Sequence, residues 1–451
     1  MMIKRTLIAL ALTALVTVSA RADAAGMGVI RDEEIEQSLR TFSKPVFDQA
    51  GLSPGAVKFI LIDQNELNAF VAGGQNIFVF TGLILRTKNP AELFGVIAHE
   101  TGHIANGDLI RMRSEMEDLS FQVMAASLLG IAVGAAAGSG EAGMAVLSAA
   151  NSVGQRAALR HSRIQETAAD QSAVAYLKGA RMPVSGLVSF METLADQELL
   201  PESQQTEYVR THPLTRDRIA SLENAAARYK GDPLPAGWTE LHARMVAKLK
   251  GFLLPEQALL DKGTSVASRY GRAIALYRKG RLDDALKLLD PLIKEEPRNP
   301  YFLELKGQML FEHARIDDAI LAYAKSVELA PQSGLIRAAY GHALLESAKD
   351  TQKHYAEAVK QFERALQSEP KDIKTHHFLA IAYGKQGQEG LSRLHLAEEQ
   401  LLRGKTDFAI REAKLAQQSL AKNSASWIRA GDILDAARRQ KKQDKKDKKR
   451  D

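Results

Sequence analysis

From about residue 269 the chain repeats itself. Asp283-Asp284-Ala285-Leu286 returns as Asp317-Asp318-Ala319-Ile320, Gly307 returns as Gly341 and Pro297 as Pro331, each 34 residues on. Tyr355-Ala356-Glu357-Ala358-Val359 and Pro370 continue the pattern after a short insertion, and Asp407-Phe408-Ala409-Ile410 opens a fourth, more divergent unit. A unit of this length makes a pair of helices that cannot bury its apolar face alone, so neighbouring units must stack. Residues 269–437 are therefore expected to form an all-α array with a concave surface suited to peptides or proteins. The bland alternative is an unspecific helical bundle.

The 34-residue period, with small residues where helices cross and proline at the unit end, is the tetratricopeptide pattern. The region before it, 27–250, reads differently. Asp32 to Gln49 has helical periodicity. Val57 to Ile62 is rich in β-branched residues, and Ala69–Ala72 and Asn76–Phe80 flank Gly73-Gly74 as a hairpin would. Asn89-Pro90-Ala91-Glu92 opens a helix with an N-cap followed by proline at the first turn. Residues 251–268, with Pro255 and Gly263, read as a connector.

The ends of the chain suggest where it works. Lys4 and Arg5, an apolar run from Thr6 to Ser19, and Ala20, Ala22 and Ala24 have the layout of a signal peptide over 1–24, too short for a spanning helix. The chain has no cysteine, which excludes disulfides, thiolate metal sites and a lipid anchor on cysteine. Arg438 to Asp451 holds nine Lys or Arg and three Asp, enough to account for the formal net charge of +6. That stretch reads as a basic disordered tail, a solubiliser or a contact for anionic lipid or an acidic protein, with no nucleic-acid partner expected behind a signal peptide. The Ala- and Gly-rich run 121–150 is interrupted by Gly130, Gly134, Gly138 and Gly140, so it reads as close-packed helices or a mobile hairpin, with a dip into a membrane or a cover over the active site as alternatives.

The chemistry sits in His99-Glu100-Thr101-Gly102-His103. On a helix the two imidazoles share one face, one turn apart, and both can meet a single Zn²⁺ at about 2.0–2.1 Å. Glu100 is placed to take a proton from the attacking water and return it to the leaving amine. Leu93, Phe94, Val96, Ile97 and Ala98 mark a buried helix, where two unpaired histidines would be costly. A third ligand eleven-residue-motif style would need Gly at 106 and His at 109, but Asn106 and Leu109 stand there. Elimination leaves a glutamate on a second helix. Glu166 and Asp170 are i and i+4, so Glu166 can bind zinc while Asp170 accepts from the far nitrogen of a ligand histidine. Ala168 and Ala169 would let the helices approach, and His161 lies off that face. His212, just before Pro213, has three readings: a donor to the oxyanion, the occupant of the fourth zinc position, or an ordinary residue at a helix entry.

Together these residues resemble the gluzincin group of zinc metallopeptidases that includes the HtpX heat-shock proteases and the CAAX prenyl proteases. The matching elements are Asn68-Ala69-Phe70 with Gly73-Gly74, Gly82-Leu83, His99 to His103, Glu166 to Asp170, and His212-Pro213 with Arg218, spread over about 150 residues in the family's order. Ala72 departs from the family, which often has proline there. The resemblance implies an α+β fold: a mostly helical zincin-type domain with a small β-sheet, followed here by the repeat superhelix. It implies one zinc on His99, His103 and Glu166, Glu100 as base, a supporting role for Asp170, and His212 as a switch or transition-state residue backed by Arg218. It also implies that an edge strand around Phe78 to Phe80 pairs with an extended substrate. With signal peptide and repeats added, the chain is similar to periplasmic members that degrade misassembled outer-membrane β-barrel proteins and assist their assembly. The expectation is then a periplasmic endopeptidase acting on misfolded proteins, with the repeats docking substrate or assembly machinery and with possible peripheral membrane contact. The alternative is a chaperone or adaptor whose zinc site is largely silenced.

Overall fold

The computed structural model describes residues 28–53, 55–72, 74–108, 111, 163–198, 208–209, 212–347 and 351–447. The signal peptide, the 121–150 run and His161 lie outside them. The fold is α+β, mostly helical with one small sheet and then a helical array.

Strands β1 (Gly28–Ile30), β2 (Lys58–Asp63), β3 (Ala69–Ala72) and β4 (Asn76–Phe80) form a single sheet in the order β1-β2-β4-β3. β4 runs parallel to β2 on one side and antiparallel to β3 on the other, with Phe70 opposite Phe78. This corrects one expectation. The strand through Phe78 to Phe80 is interior, because the hairpin folds β3 outward and leaves β3 at the edge among the described residues. Helix α1 (Glu33–Gln49) starts where the Asp32 carboxylate accepts from the Ile35 amide at 2.9 Å. Its Ile35, Leu39, Phe42 and Val46 recur at helical spacing and are all buried in the core beneath the sheet.

After the short α2 (Thr81–Arg86) comes α3 (Pro90–Asn106), which holds the motif. The Asn89 side chain accepts from the Glu92 amide at 3.1 Å and Pro90 fills the first turn, as the sequence suggests. Every residue of α3 from Leu93 to His103 is buried. Two glycines allow this. A Cβ on Gly95 would lie 2.7 Å from the Leu187 backbone on α5 (Ser185–Glu198), and one on Gly102 would lie 2.7 Å from the Ala169 carbonyl on α4 (163–179). Helix α6 (Arg216–Arg228) follows, capped by the Thr215 hydroxyl.

Helix α7 (Trp238–Leu253) joins the two halves of the molecule. Its Trp238, Met245 and Leu249 belong to the core under the sheet, while Gly251 abuts Ile274. The stretch read as a connector holds a helix of its own, α8 (Pro255–Leu260). At the junction Lys248 Nζ lies 2.8 Å from Asp32 and 3.3 Å from Glu34, Arg244 Nε lies 3.1 Å from Glu34, and the Tyr270 hydroxyl donates to Glu34 at 2.9 Å.

The array is a run of hairpins: α9 (Val266–Arg278) with α10 (Leu282–Glu295), α11 (Pro300–Glu312) with α12 (Ile316–Leu329), α13 (Gly334–Glu346) with α14 (Thr351–Ser368), α15 (Ile373–Lys385) with α16 (Glu389–Leu402), and α17 (Thr406–Ser419) with α18 (Ala425–Asp447). Gly307 packs on the Tyr323 ring and Gly341 on the Phe362 ring at positions a Cβ would fill. The unit opened at Asp407 is the fifth hairpin rather than the fourth. The one before it carries Glu389-Gly390 at the equivalent place, which hides it from the motif. The stretch from 438, expected to be disordered, continues α18 as far as Asp447. Asp435 sits 3.5 Å from Arg438 one turn on, and Lys441 pairs with Asp407 of α17. No helix among the described residues is long and apolar enough to cross a membrane.

Candidate metal centre

Helices α3 and α4 cross at Gly102 and Ala169, so the side chains one turn either side of the crossing meet. His99, His103 and Glu166 converge there, joined by His212 from the loop before α6. One ligand-type atom of each lies within 4.8 Å of the others, and this is the single such cluster among the described residues. His99 Nε2 and His103 Nε2 are 3.2 Å apart, and each is 3.3 Å from a Glu166 oxygen. His212 Nδ1 lies 3.0 Å from Glu166 Oε1 and 3.5 Å from His99 Nε2.

The far side of each imidazole decides which atoms face inward. His99 Nδ1 is 2.9 Å from Asp170 Oδ1, and His103 Nδ1 is 2.7 Å from Asp108 Oδ2. A carboxylate accepts only, so Nδ1 of each ring is the donor and the Nε2 lone pairs point at each other and at Glu166. Acceptors converging on one point need a cation between them, and two imidazole nitrogens with a carboxylate oxygen are a donor set that zinc favours. The residues present therefore fit the metal that the motif implies. Titration expresses the same demand. Burial pushes both histidines down, yet hydrogen bonds to Asp108 and Glu166, with Glu100 close by, raise His103 to about 10, and Asp170 and Glu166 raise His99.

Around this point the carboxylates are fixed. Burial works to raise Glu166, but the charge on His212 and the hydrogen bonds from His103, His212 and His99 hold it well below the usual range. Asp170 is lowered against burial by His99 and by Arg218, whose Nε lies 2.6 Å from Oδ2 and whose Nη2 lies 3.0 Å from Oδ1. Arg218 also reaches Glu166 at 3.0 Å and donates to the Pro213 carbonyl at 2.8 Å, tying the His212 loop to both acids. Glu100 is different. Both its carboxylate oxygens are buried with no hydrogen-bond partner, and His212 Nε2 lies 3.7 Å from one of them.

All seven residues singled out in the sequence thus come together, and three more belong with them. Gly102 permits the helix crossing. Asp108 follows Gly107, whose left-handed φ of 70° ends α3 and turns the chain back toward His103. Gly107-Asp108 just past a helix end was the available signal. Tyr208 stacks on His212 with centroids 4.5 Å apart, and its carbonyl accepts from the His212 amide at 2.7 Å. Burial drives the Tyr208 hydroxyl far above its ordinary pKa, and Glu100 and Glu166 push the same way. Nothing in the local pattern around Tyr208 announced it.

A buried histidine–glutamate cluster on crossed helices, with an unpartnered glutamate beside it, defines a metallopeptidase. The chain belongs to peptidase family M48, whose pattern matches residues 30–226, and a tetratricopeptide pattern matches 270–334. It is 28% identical to the beta-barrel assembly-enhancing protease of Yersinia pestis over 85% of this chain and 79% of that one. With the protein of the same name from Escherichia coli it shares 25% identity, over 65% of this chain and 61% of the relative. A protease HtpX homolog of Paracidovorax citrulli is 30% identical over 44% of this chain and 74% of its own length.

Proposed function

We propose that this metalloprotease is a zinc-dependent endopeptidase of the periplasm that cleaves misfolded or misassembled proteins, outer-membrane β-barrel proteins among them. The observation that carries the chemistry is Glu100: a buried carboxylate with no hydrogen-bond partner, beside three inward-facing ligand atoms. His99, His103 and Glu166 would hold the metal. Zinc, when bound, supplies Lewis acidity to the scissile carbonyl and lowers the pKa of water at the site. Glu100 accepts the proton of the attacking water and passes it to the leaving amine nitrogen. Asp170 and Asp108 hold the two imidazoles in the Nδ1-protonated form, and Arg218 holds Asp170 and the His212 loop. His212 is within reach of the space beside Glu100, where an N–H can donate to the developing oxyanion. The free edge of β3 is where an extended substrate can add a strand. The similarity to the beta-barrel assembly-enhancing proteases of Yersinia and Escherichia supports the substrate class, and the repeats supply a surface for docking substrate or assembly partners.

One observation favours a second reading. His212 stands among the ligand-type atoms and not apart from them, so it could take the fourth position and silence the site, leaving an adaptor. Two variants separate the readings. Glu100→Gln should reduce cleavage of unfolded casein by about 10²–10⁴-fold at unchanged zinc content; unaltered cleavage sinks the proposal. His212→Ala should lower kcat if His212 serves the transition state, and a gain in activity identifies it as the gate.

A further inference from the structure

The tail that composition marked as a basic block is a helix whose charges are sorted by side. At about 100° of rotation per residue, Arg438, Arg439, Lys441, Lys442, Lys445 and Lys446 fall within an arc of about 160°. Gln440, Gln443 and Asp444 fill the opposite arc of about 100°, with no interleaving of the two sets. The sequence beyond adds Lys448, Lys449 and Arg450.

The core does not explain this order. Ala430, Ile433, Leu434 and Ala437 are the residues of α18 buried against α16 and α17, and from Arg438 to Lys446 none is buried. Lys441 is tied to Asp407 and Arg438 to Asp435. Among the described residues Arg439, Lys442, Lys445 and Lys446 have no acid at ion-pair distance. A helix that needed charge only to stay soluble would gain nothing from separating its signs, and mixing them would add i,i+4 pairs.

We propose that this face docks the end of the repeat array on an anionic lipid bilayer. A rod whose cations lie on one side meets a flat, negatively charged surface in a single orientation, with Gln440, Gln443 and Asp444 turned away. The stretch 438–447 has no apolar residue to insert, so contact is with headgroup phosphates and rests on electrostatics alone. Arg439, Lys442, Lys445 and Lys446 lie within about 120° along one side of the helix, an arc that long flexible side chains can bring to a single flat surface. The expected signal peptide turns the chain away from nucleic acid. Docking here would hold the repeats at a set angle to the membrane, and it is independent of the proposed zinc site.

The test is co-sedimentation of the full-length protein with vesicles. It should pellet with vesicles of about one-third phosphatidylglycerol in phosphatidylcholine at roughly 50 mM salt, stay in solution with phosphatidylcholine alone, and release at about 0.5 M salt. Lys442→Gln, Lys445→Gln and Lys446→Gln together should lower the partition coefficient on the order of a hundredfold, about fivefold per lysine. A second variant keeps the net charge and breaks the arc: Lys445→Asp and Lys446→Asp with Asp444→Lys and Asp447→Lys. It should bind at least tenfold more weakly than the parent (roughly, by the same rule) while its circular dichroism and casein cleavage stay unchanged. Parent-like binding by the second variant, equal partition into both vesicles, or capture of duplex DNA or polyglutamate in place of phosphatidylglycerol vesicles would each overturn the proposal.

Discussion

Two clusters of buried charge sit in this molecule, and they are built on opposite principles. At the metal centre four buried carboxylates, Glu100, Asp108, Glu166 and Asp170, face one buried guanidinium, Arg218. At the junction between the halves, Asp32 and Glu34 face Lys248 and Arg244, with Tyr270 donating to Glu34. At the junction Asp32, Glu34 and Glu296 each reach Lys248 or Arg244, and burial raises the neighbouring Glu304 to about 8, so the acids there are paired or protonated without an added ion. The metal centre lacks that balance, and its inward-facing histidine nitrogens add acceptors to an excess of acceptors. The lesson is that buried charge alone marks neither catalysis nor structure. What separates the two is whether the cluster is complete without an added ion.

The largest expected effect therefore comes from taking the metal away. The two tryptophans allow each half to be watched: Trp238 packs on Phe42 and Phe94 in the peptidase core, and Trp427 lies in α18 of the array. In a Trp427→Phe chain, chelation should destabilise the peptidase core by about 4 kcal/mol relative to zinc at a thousand times its Kd, read from Trp238 fluorescence in urea. A Trp238→Phe chain should show little change at Trp427. Equal shifts at both reporters would mean that the imbalance is not local. The junction should respond to a different cut. Lys248→Met leaves the buried Glu34 and the half-buried Asp32 with one cation fewer, at a cost of about 3 kcal/mol, and chelation should add its own loss on top. A cost under about 1 kcal/mol would show that water reaches the junction and that it is not sealed.

The contrast also explains what could be read in advance. The candidate metal cluster was legible because its spacing is set within helices: i and i+4 bring His99 to His103 and Glu166 to Asp170 without knowledge of the fold. Asn89 and Pro90 announced the start of α3, and the glycines at 34-residue spacing announced the crossings in the array. Strand order was not legible. Local alternation says that β3 and β4 exist, but the β2–β4 pairing is set by the rest of the core, and it moved the free edge from Phe78 to Ala69–Ala72. The junction was invisible because Asp32, Lys248 and Tyr270 are far apart in the chain and ordinary in type. The basic tail misled because composition counts charges without seeing which side of a helix they occupy.

Asp108 lies between these cases, and it gives the finest test of the comparison. It comes five residues after His103, too far to share its helical face, and only the left-handed turn at Gly107 brings it back. It accepts from His103 Nδ1, with its other oxygen 3.1 Å from Arg111. If its work is to hold the imidazole so that Nε2 faces the metal, Asp108→Ala should weaken zinc binding by about 10–100-fold in a competitive chelator titration. The metal-free peptidase core should keep its urea midpoint, because removing one acid from an over-acidic cluster relieves repulsion as it breaks the bond. Asp108→Asn retains an acceptor oxygen and should recover most of the affinity, since orientation needs the hydrogen bond more than the charge. Unchanged zinc affinity in Asp108→Ala would assign the orientation of His103 to packing around α3. Failure of Asp108→Asn to recover it would mean that the negative charge counts, and that the excess of carboxylates is itself part of how the site selects a dication.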